Sequence, residues 1–398
     1  MTKKHIVIVA YSLVPTEVGG VETYFKNIVP ALLRNMPDLF KVTMVIGSAA
    51  RIYADHWCEW GGKSSDCIVS NSFPCITSIT KRAYALGGAL LHSRPLEQEI
   101  YDLKPDVVFF PLTVCVPLFK RRRRRFSVVT TVHDVLHVVR PEWFDSKIEK
   151  IYRLLSYGRS ISQSNGILVP SRYTAKTLQH HFGKNSVDIN CIPYGLDHTV
   201  FSSESRPGDG EVLKKYGLDG LKVVIYPANT WPHKNHKLLF EAWKRCLPSL
   251  PQDAWLILCG RVFDSLPEQS SLHEKRIKHI GFVSQSELSA LYRGAHAVVF
   301  PSLFEGFGAP PLEAMASGAV TICSQAASLA EVLPDGYPLA FSPESMDQMS
   351  LCILKGCKDE MMRKKSQLLG KKHSFGFSWD RAANRHIECF ERILRNGD

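Results

Sequence analysis

Apolar and polar positions follow two rhythms along this chain, and the rhythms alternate. Short runs rich in β-branched residues, His5–Ala10, Lys41–Ile46, Asp106–Phe110, Ser127–Val132 and Asn165–Val169, read as strands covered on both faces. Between such runs the apolar spacing widens to the helical period. From about Val21 to Arg34, the residues Phe25, Ile28, Val29, Leu32 and Leu33 fall on one face, which predicts an amphipathic helix after Gly19-Gly20. The pattern breaks around Ile192-Pro193-Tyr194-Gly195, and a polar Ser/Gly/Pro stretch runs from Ser202 to Gly210. It restarts with strand-like runs at Lys222–Ala228, Trp255–Cys259, Ala297–Phe300 and Ala319–Cys323. A final amphipathic segment, about Trp379 to Leu394, follows a break at Ser374–Ser378.

Strand and helix in alternation predict α/β layers around parallel sheets. A chain of 398 residues is too long for one ordinary core and suits two domains of about 200 each. The boundary is placed in the polar stretch, giving a first domain of 1–198, a second of 199–375, and a helix at 376–398 expected to pack back on the first. Two doubly wound domains facing each other would place ligands where the carboxyl ends of their strands meet.

Composition narrows the class. Hydrophobic content of 45% and charged content of 22% are those of a globular protein. Eleven cysteines, an odd number without C-x-x-C pairs, fit a reducing cytosol better than a secreted disulfide framework. The N-terminal apolar run ends at Ala10 without a small-residue cleavage site. The longest apolar stretch, Val107 to Phe119, holds two prolines and falls short of the roughly 20 residues that a spanning helix needs. The expectation is therefore a cytoplasmic chain with no membrane span. Its net charge of +11 is uneven: residues 1–198 hold 25 Lys and Arg against 16 Asp and Glu, whereas 199–398 hold 24 against 22. Either the first half has a solvated basic face, or it meets an anionic partner.

The sharpest local pattern lies in the second half. Strand Ala297–Phe300 runs into Pro301-Ser302-Leu303-Phe304-Glu305-Gly306-Phe307-Gly308-Ala309-Pro310-Pro311-Leu312-Glu313. Its glycines let backbone approach a ligand, and its prolines suit the first turn of a helix. A helix starting there would aim N–H groups and a positive dipole end at the interdomain space, an anion site. On spacing alone, two carboxylates eight residues apart are a common accident. A dinucleotide-binding loop fits poorly, because Pro311 replaces the third glycine and Ser324-Gln325, not an acid, follows the next strand.

Glu305-x7-Glu313 within E-G-F-G-x-P-x-L-E-A, followed by Met315-Ala316-x-Gly318, resembles the core motif of retaining glycosyltransferase family 4, the glycosyl transferases group 1 of the GT-B fold. Further segments match in order: Gly19-Gly20 before the first helix, His133-Asp134 after a strand, and Val169-Pro170-Ser171 with Thr174. Then come Ile192-Pro193-x-Gly195-x-Asp197, Pro232-His233-Lys234-Asn235, and Gly281-Phe282-Val283 with Glu287-Leu288. The resemblance runs from about residue 6 to about residue 335 of this sequence.

The resemblance implies an α/β fold of GT-B type: two Rossmann-like, doubly wound, parallel-sheet domains facing a cleft. It implies transfer of a hexose-type sugar, with retained configuration, from a GDP- or UDP-sugar to a saccharide or lipid-linked oligosaccharide, in surface polysaccharide synthesis. The nucleotide sugar is a co-substrate, and no cofactor is expected. Glu313 would accept the ribose hydroxyls. Glu305 would hold the transferred sugar and stabilise positive charge on its ring. Backbone N–H groups of Gly306, Phe307, Gly308 and Ala309 would meet sugar hydroxyls or phosphate oxygens. Lys234 would neutralise the leaving diphosphate. His133 would contact the donor sugar, Gly19 and Gly20 would approach the diphosphate or the acceptor, and Val283 would lie beside the nucleobase. A satisfied histidine at a strand end is the plainer reading of His133.

One departure stands out. The family often carries Gly-Arg ahead of the lysine loop as a second diphosphate cation; here Ala228-Asn229 stands near that place. Arg261 is the candidate replacement, and Asn229 retains a hydrogen-bond donor. No Asp-x-Asp pair occurs in the sequence, so no metal is expected on the diphosphate. The run Arg121, Arg122, Arg123, Arg124 and Arg125 is not a family feature: it is either a solvated loop tip or a contact with anionic lipid on the cytoplasmic face. Nucleic acid is not expected, since no aromatic residues interleave the run. Two other functions remain on the sequence alone, a GT-B nucleotide-sugar epimerase and a noncatalytic nucleotide-sugar-binding scaffold.

Overall fold

The computed structural model describes residues 3–15, 19–71, 93–119, 124–144, 146–183, 187–263, 266 and 269–397. Arg121, Arg122 and Arg123 lie outside the described residues. The chain divides into two compact units, Met1–Gly195 with Trp379–Asp398, and Leu196–Ser378.

In the first unit seven strands form one parallel sheet: β1 (Lys4–Ala10), β2 (Phe40–Gly47), β3 (Cys67–Ser70), β4 (Val107–Phe110), β5 (Ser127–Thr131), β6 (Gly166–Val169) and β7 (Asp188–Cys191), in the order β3-β2-β1-β4-β5-β6-β7. Side chains alternate across a strand, so β1 feeds two cores at once. Ile6 and Ile8 pack into a cluster with Phe25, Ile28 and Leu32 of the helix Gly20–Asn35, while Val7 and Val9 pack with Leu96 and Ile100 on the other face. That double coverage makes the run apolar at every position. The first cluster also contains the last helix, Trp379–Gly397, through Ile387, Phe390 and Ile393. There Tyr24 Oη and His386 Nε2 are hydrogen-bonded at 2.7 Å, and the rings of Phe109 and Phe390 lie 5.4 Å apart.

The second unit holds six parallel strands: β8 (Lys222–Pro227), β9 (Ala254–Cys259), β10 (Ile277–His279), β11 (Ala297–Phe300), β12 (Thr321–Ser324) and β13 (Ala340–Phe341), in the order β10-β9-β8-β11-β12-β13. The two-unit, parallel-sheet α/β expectation is met. The strands that the apolar pattern does not mark are β3, β7, β10 and β13, the outermost strand on each side of each sheet. An edge strand is not covered on both sides, so it needs no continuous apolar run; β7 reads Asp-Ile-Asn-Cys and none of its residues is fully buried. Among the described residues no helix is long and apolar enough to cross a membrane.

Candidate functional site

In the six-stranded sheet the chain lays down β8, β9 and β10 in one direction, then returns to place β11 on the other side of β8. Loops leaving the carboxyl ends of two strands at such a reversal part from one another and leave room for a ligand. The loop after β8 carries Lys234, and the loop after β11 carries Glu305.

The two loops are fastened together. Lys234 Nζ donates to Glu305 Oε1 at 2.6 Å, and each side chain keeps 18% exposure. Burial pushes the Glu305 carboxyl up, but Lys234 and His233 beside it outweigh that and hold it below the usual carboxylate range. Burial, reinforced by the Lys234 charge, pulls His233 down to about 4, so it is neutral near pH 7. The backbone is held as firmly. Leu303 N–H donates to the His233 carbonyl at 2.8 Å, and Tyr226 Oη donates to the Lys234 carbonyl at 2.6 Å. Asn235 ends the short turn Pro232–Lys234 in the left-handed region, φ 59°, which asparagine tolerates better than most residues. Its amide donates to the carbonyls of Pro301, at 3.1 Å, and Pro343, at 3.2 Å. One asparagine thus ties the lysine loop to the loops after β11 and β13.

Beyond Glu305 the backbone is braced by two serines. Ser324 Oγ donates to the Ser302 carbonyl at 2.6 Å, and Ser328 Oγ lies 2.7 Å from the carbonyls of both Glu305 and Phe307. Phe307 turns its side chain inward. Gly308, at φ 114°, leads into the helix Ala309–Ala316; a Cβ there would sit 2.7 Å from Leu329 Cδ2, so glycine is required on both counts. Of the first four N–H positions in that helix, two are prolines, so the expected anion site is thinner than a helix start usually offers. Glu313 is half-buried in the helix, and its carboxylate takes no hydrogen bond among the described residues. Burial, with no cation nearby, raises it to about 7.

Asn229 and Arg261 are close neighbours through backbone: Asn229 Oδ1 accepts from the Arg261 N–H at 2.7 Å. The asparagine carbonyl is therefore occupied, while its amide N–H groups take no partner among the described residues. The Arg261 guanidinium sits 5.5 Å over the ring of Phe282, which is exposed. Val283, by contrast, packs into the core with Val223, Ile225 and Leu291 and offers a ligand only its backbone. Among the described residues no group of three His, Cys, Asp or Glu side chains is arranged to hold a metal ion.

The first unit has its own reversal, between β1 and β4. Gly19 stands just before the helix Gly20–Asn35 with φ 57° and ψ −123°, a glycine conformation, and a Cβ on Gly19 or Gly20 would meet only open space. His133 follows β5 and is buried. Its Nε2 donates to the Pro111 carbonyl at 2.8 Å, which leaves Nδ1 to accept from Tyr194 Oη in a close contact. Burial lowers its pKa to about 4, so the ring is neutral and both nitrogens are bonded within the unit. A contact from His133 to a sugar requires one of those bonds to be exchanged.

Spacing and resemblance point to Lys234, Glu305 and Glu313. They do not single out Tyr226, Asn235, Ser324, Ser328 or Tyr194, which position them or engage His133. The asparagine could have been found, because a polar residue immediately before a helical pattern is the signal of a special backbone angle.

Comparison with known proteins gives the family and the fold. Residues 18–200 match the model of Glycosyltransferase Family 4, and residues 210–373 that of Glycosyl transferases group 1. The chain is similar to the O-antigen chain mannosyltransferase B of Escherichia coli, 28% identical over 313 residues, covering 76% of this chain and 79% of that one. Among solved structures, sucrose-phosphate synthase from Thermosynechococcus elongatus superposes with a TM-score of 0.75 at 16% identity, over 99% of this chain and 100% of that one. Anabaena HepE, solved with UDP and glucose, gives 0.72 at 17% identity over 98% and 100%. Both likenesses are of fold, the GT-B fold.

Proposed function

We propose, from the premise that this chain belongs to glycosyltransferase family 4 and is a glycosyltransferase, that it transfers a hexose with retained configuration from a UDP- or GDP-sugar to a saccharide or lipid-linked acceptor in surface polysaccharide synthesis. The second unit takes the donor and the first the acceptor. Lys234 neutralises the diphosphate as its bond to the anomeric carbon breaks, and Glu305 stabilises the positive charge left on the ring. The acceptor hydroxyl bonds to the same face of that carbon, and its proton leaves with the released diphosphate. Glu313 accepts the ribose hydroxyls, which favours its ionised form. Lys234, with Arg261 nearby on the neighbouring strand end, does the electrostatic work without a metal ion.

The observation that carries this reading is the ion pair of Lys234 and Glu305 at the reversal between β8 and β11. A cation and a carboxylate side by side support the reading, since the one suits a leaving anion and the other a developing positive charge. The mannosyltransferase relative favours a mannose donor and an O-antigen-like acceptor. On the cytoplasmic face, Arg121–Arg125 is assigned to an anionic lipid surface. The test is a panel of nucleotide sugars scored by thermal stabilisation, since a ligand that binds the native state raises its melting temperature. The donor found is then incubated with lipid extracts. Nucleotide release that depends on acceptor, with an axial or equatorial product bond matching the donor, supports the reading. Acceptor-independent interconversion of the nucleotide sugar would instead identify an epimerase.

A further inference from the structure

The helix Lys147–Gln163 of the first unit is built inside out for a solvated element. Its inner face is Tyr157, Ser160, Ile161 and Gln163, which are buried. Its outer face carries Ile148, Ile151, Leu154 and Leu155, with exposures of 58%, 55%, 49% and 49%. These positions fall on one side of a 3.6-residue period, where a solvated helix carries polar side chains. Four large apolar side chains in one exposed stripe form a patch, not scattered exceptions.

The helix is mostly basic, with Lys147, Lys150, Arg153 and Arg159 against one acid. Exposed Lys147 stands at the start of the helix and exposed Arg159 near its end. The acid of the helix, Glu149, is bonded to Arg153 at 2.9 Å. Hydrogen bonds also tie residues at and just beyond the end of the helix to Phe119 and Arg124. Phe119 N–H donates to Gln163 Oε1 at 2.8 Å, and Arg124 Nη2 donates to Asn165 Oδ1 at 2.7 Å, with Arg125 exposed beside it.

We propose that this helix is the membrane-seating element of the protein: it lies in the plane of an anionic bilayer, with Ile148, Ile151, Leu154 and Leu155 at the boundary between headgroups and acyl chains. The argument for lipid as the occupant is the match of charge. Basic side chains at both ends of an apolar stripe suit a negatively charged surface over an apolar layer. The inference rests on the same partner assigned to the arginine run, but on different side chains and a different force, and it does not depend on the sugar-transfer reading.

The two contributions separate in salt. Attraction by arginines is screened, since the Debye length falls to about 3 Å at 1 M salt, whereas apolar burial is not. The experiment floats the full chain with vesicles of phosphatidylcholine containing phosphatidylglycerol, and with phosphatidylcholine alone, at low and high salt. Wild type should bind the anionic vesicles, and part of that binding should survive high salt. The double variant I151S/L155S, both sites exposed, should bind about 100-fold more weakly, taking roughly tenfold for each side chain, and lose the salt-resistant part entirely. A variant with serine at Arg121–Arg125 should lose the salt-sensitive part and keep the remainder. Equal binding by wild type and I151S/L155S at both salts overturns the proposal. So does a wild type that sediments as a dimer while the variant is a monomer, because the stripe would then face a second copy. Thermal stabilisation by the donor should be the same in all three proteins, and its loss would bear on the sugar-transfer reading alone.

Discussion

Lys234 and Glu305, 71 positions apart in the chain, meet in a 2.6 Å hydrogen bond that brings the loops after β8 and β11 into a single unit. The lysine charge sets the state of the carboxylate. Burial favours the neutral carboxyl, and the ammonium beside it holds Glu305 ionised well below neutral pH.

Lys234→Ala should therefore have two effects. Removing the proposed diphosphate contact should slow transfer by about 100-fold or more. With the lysine's opposing charge gone, the Glu305 carboxyl should rise, so the acid limb of the rate profile should move to higher pH. Steady-state rates across pH check both. A slower variant with an unmoved acid limb would mean that Glu305 does not act as an ionised group.

Glu313 should behave in the opposite sense. Its carboxyl is raised from an ordinary 4.5 to about 7 by burial, so the native state holds the proton more tightly than the unfolded chain. The stability due to that proton is full below the unfolded value and is lost as pH rises through about 7. If, as proposed, the ribose hydroxyls bind its ionised form, affinity for a nucleotide sugar should increase between about pH 6 and 8. Such a donor has no phosphate proton to lose in that range. Calorimetry should show this rise in wild type and its absence in Glu313→Gln, with weaker binding throughout. Glu305→Gln should leave nucleotide affinity nearly unchanged and lower turnover.

Asn235 offers a test of scaffolding apart from chemistry. Asn235→Gly keeps the left-handed backbone accessible but removes the bonds to Pro301 and Pro343, and should cost about 1–2 kcal/mol. Asn235→Ala adds backbone strain and should cost more. Urea unfolding of the two variants against wild type measures the difference; equal losses would assign the whole effect to the side-chain bonds.

On the proposed reading, in which Lys234 provides the charge that a metal ion would supply, transfer should persist in excess EDTA. Arg261→Ala should lower the rate by less than Lys234→Ala does, since its guanidinium is exposed over Phe282 and screened by solvent. Restoration of an EDTA-treated enzyme only by Mn²⁺ or Mg²⁺ would refute metal independence.

Much of the fold could be read because the central strands are covered on both faces and must be apolar throughout: β1, β2, β4, β5 and β6, then β8, β9, β11 and β12. Strand order could not, since it depends on which crossover each helix takes. Lys234, Glu305 and Glu313 stood out through the family resemblance of the motifs that hold them, not through spacing alone. What escaped were effects of the third dimension. The ion pair joins residues on separate strands, and the Glu313 shift arises from burial, which no spacing reports. Val283 carries the same motif as Phe282, yet only the fold shows which of the two turns into the core. The helical pattern at 147–163 likewise does not say that its apolar stripe faces outward.

The return of the last helix to the first unit has a consequence for synthesis. A ribosome delivers residues 196–378 after most of the first unit and before Trp379–Gly397, whose Ile387, Phe390 and Ile393 complete that unit's core against β1 and β4. The second unit is one continuous stretch and can close as soon as it emerges. The first, though begun earlier, must wait with an apolar seam uncovered until Trp379–Gly397 has emerged. The domain started first is finished last, and a chain cut short before Trp379 would leave it open.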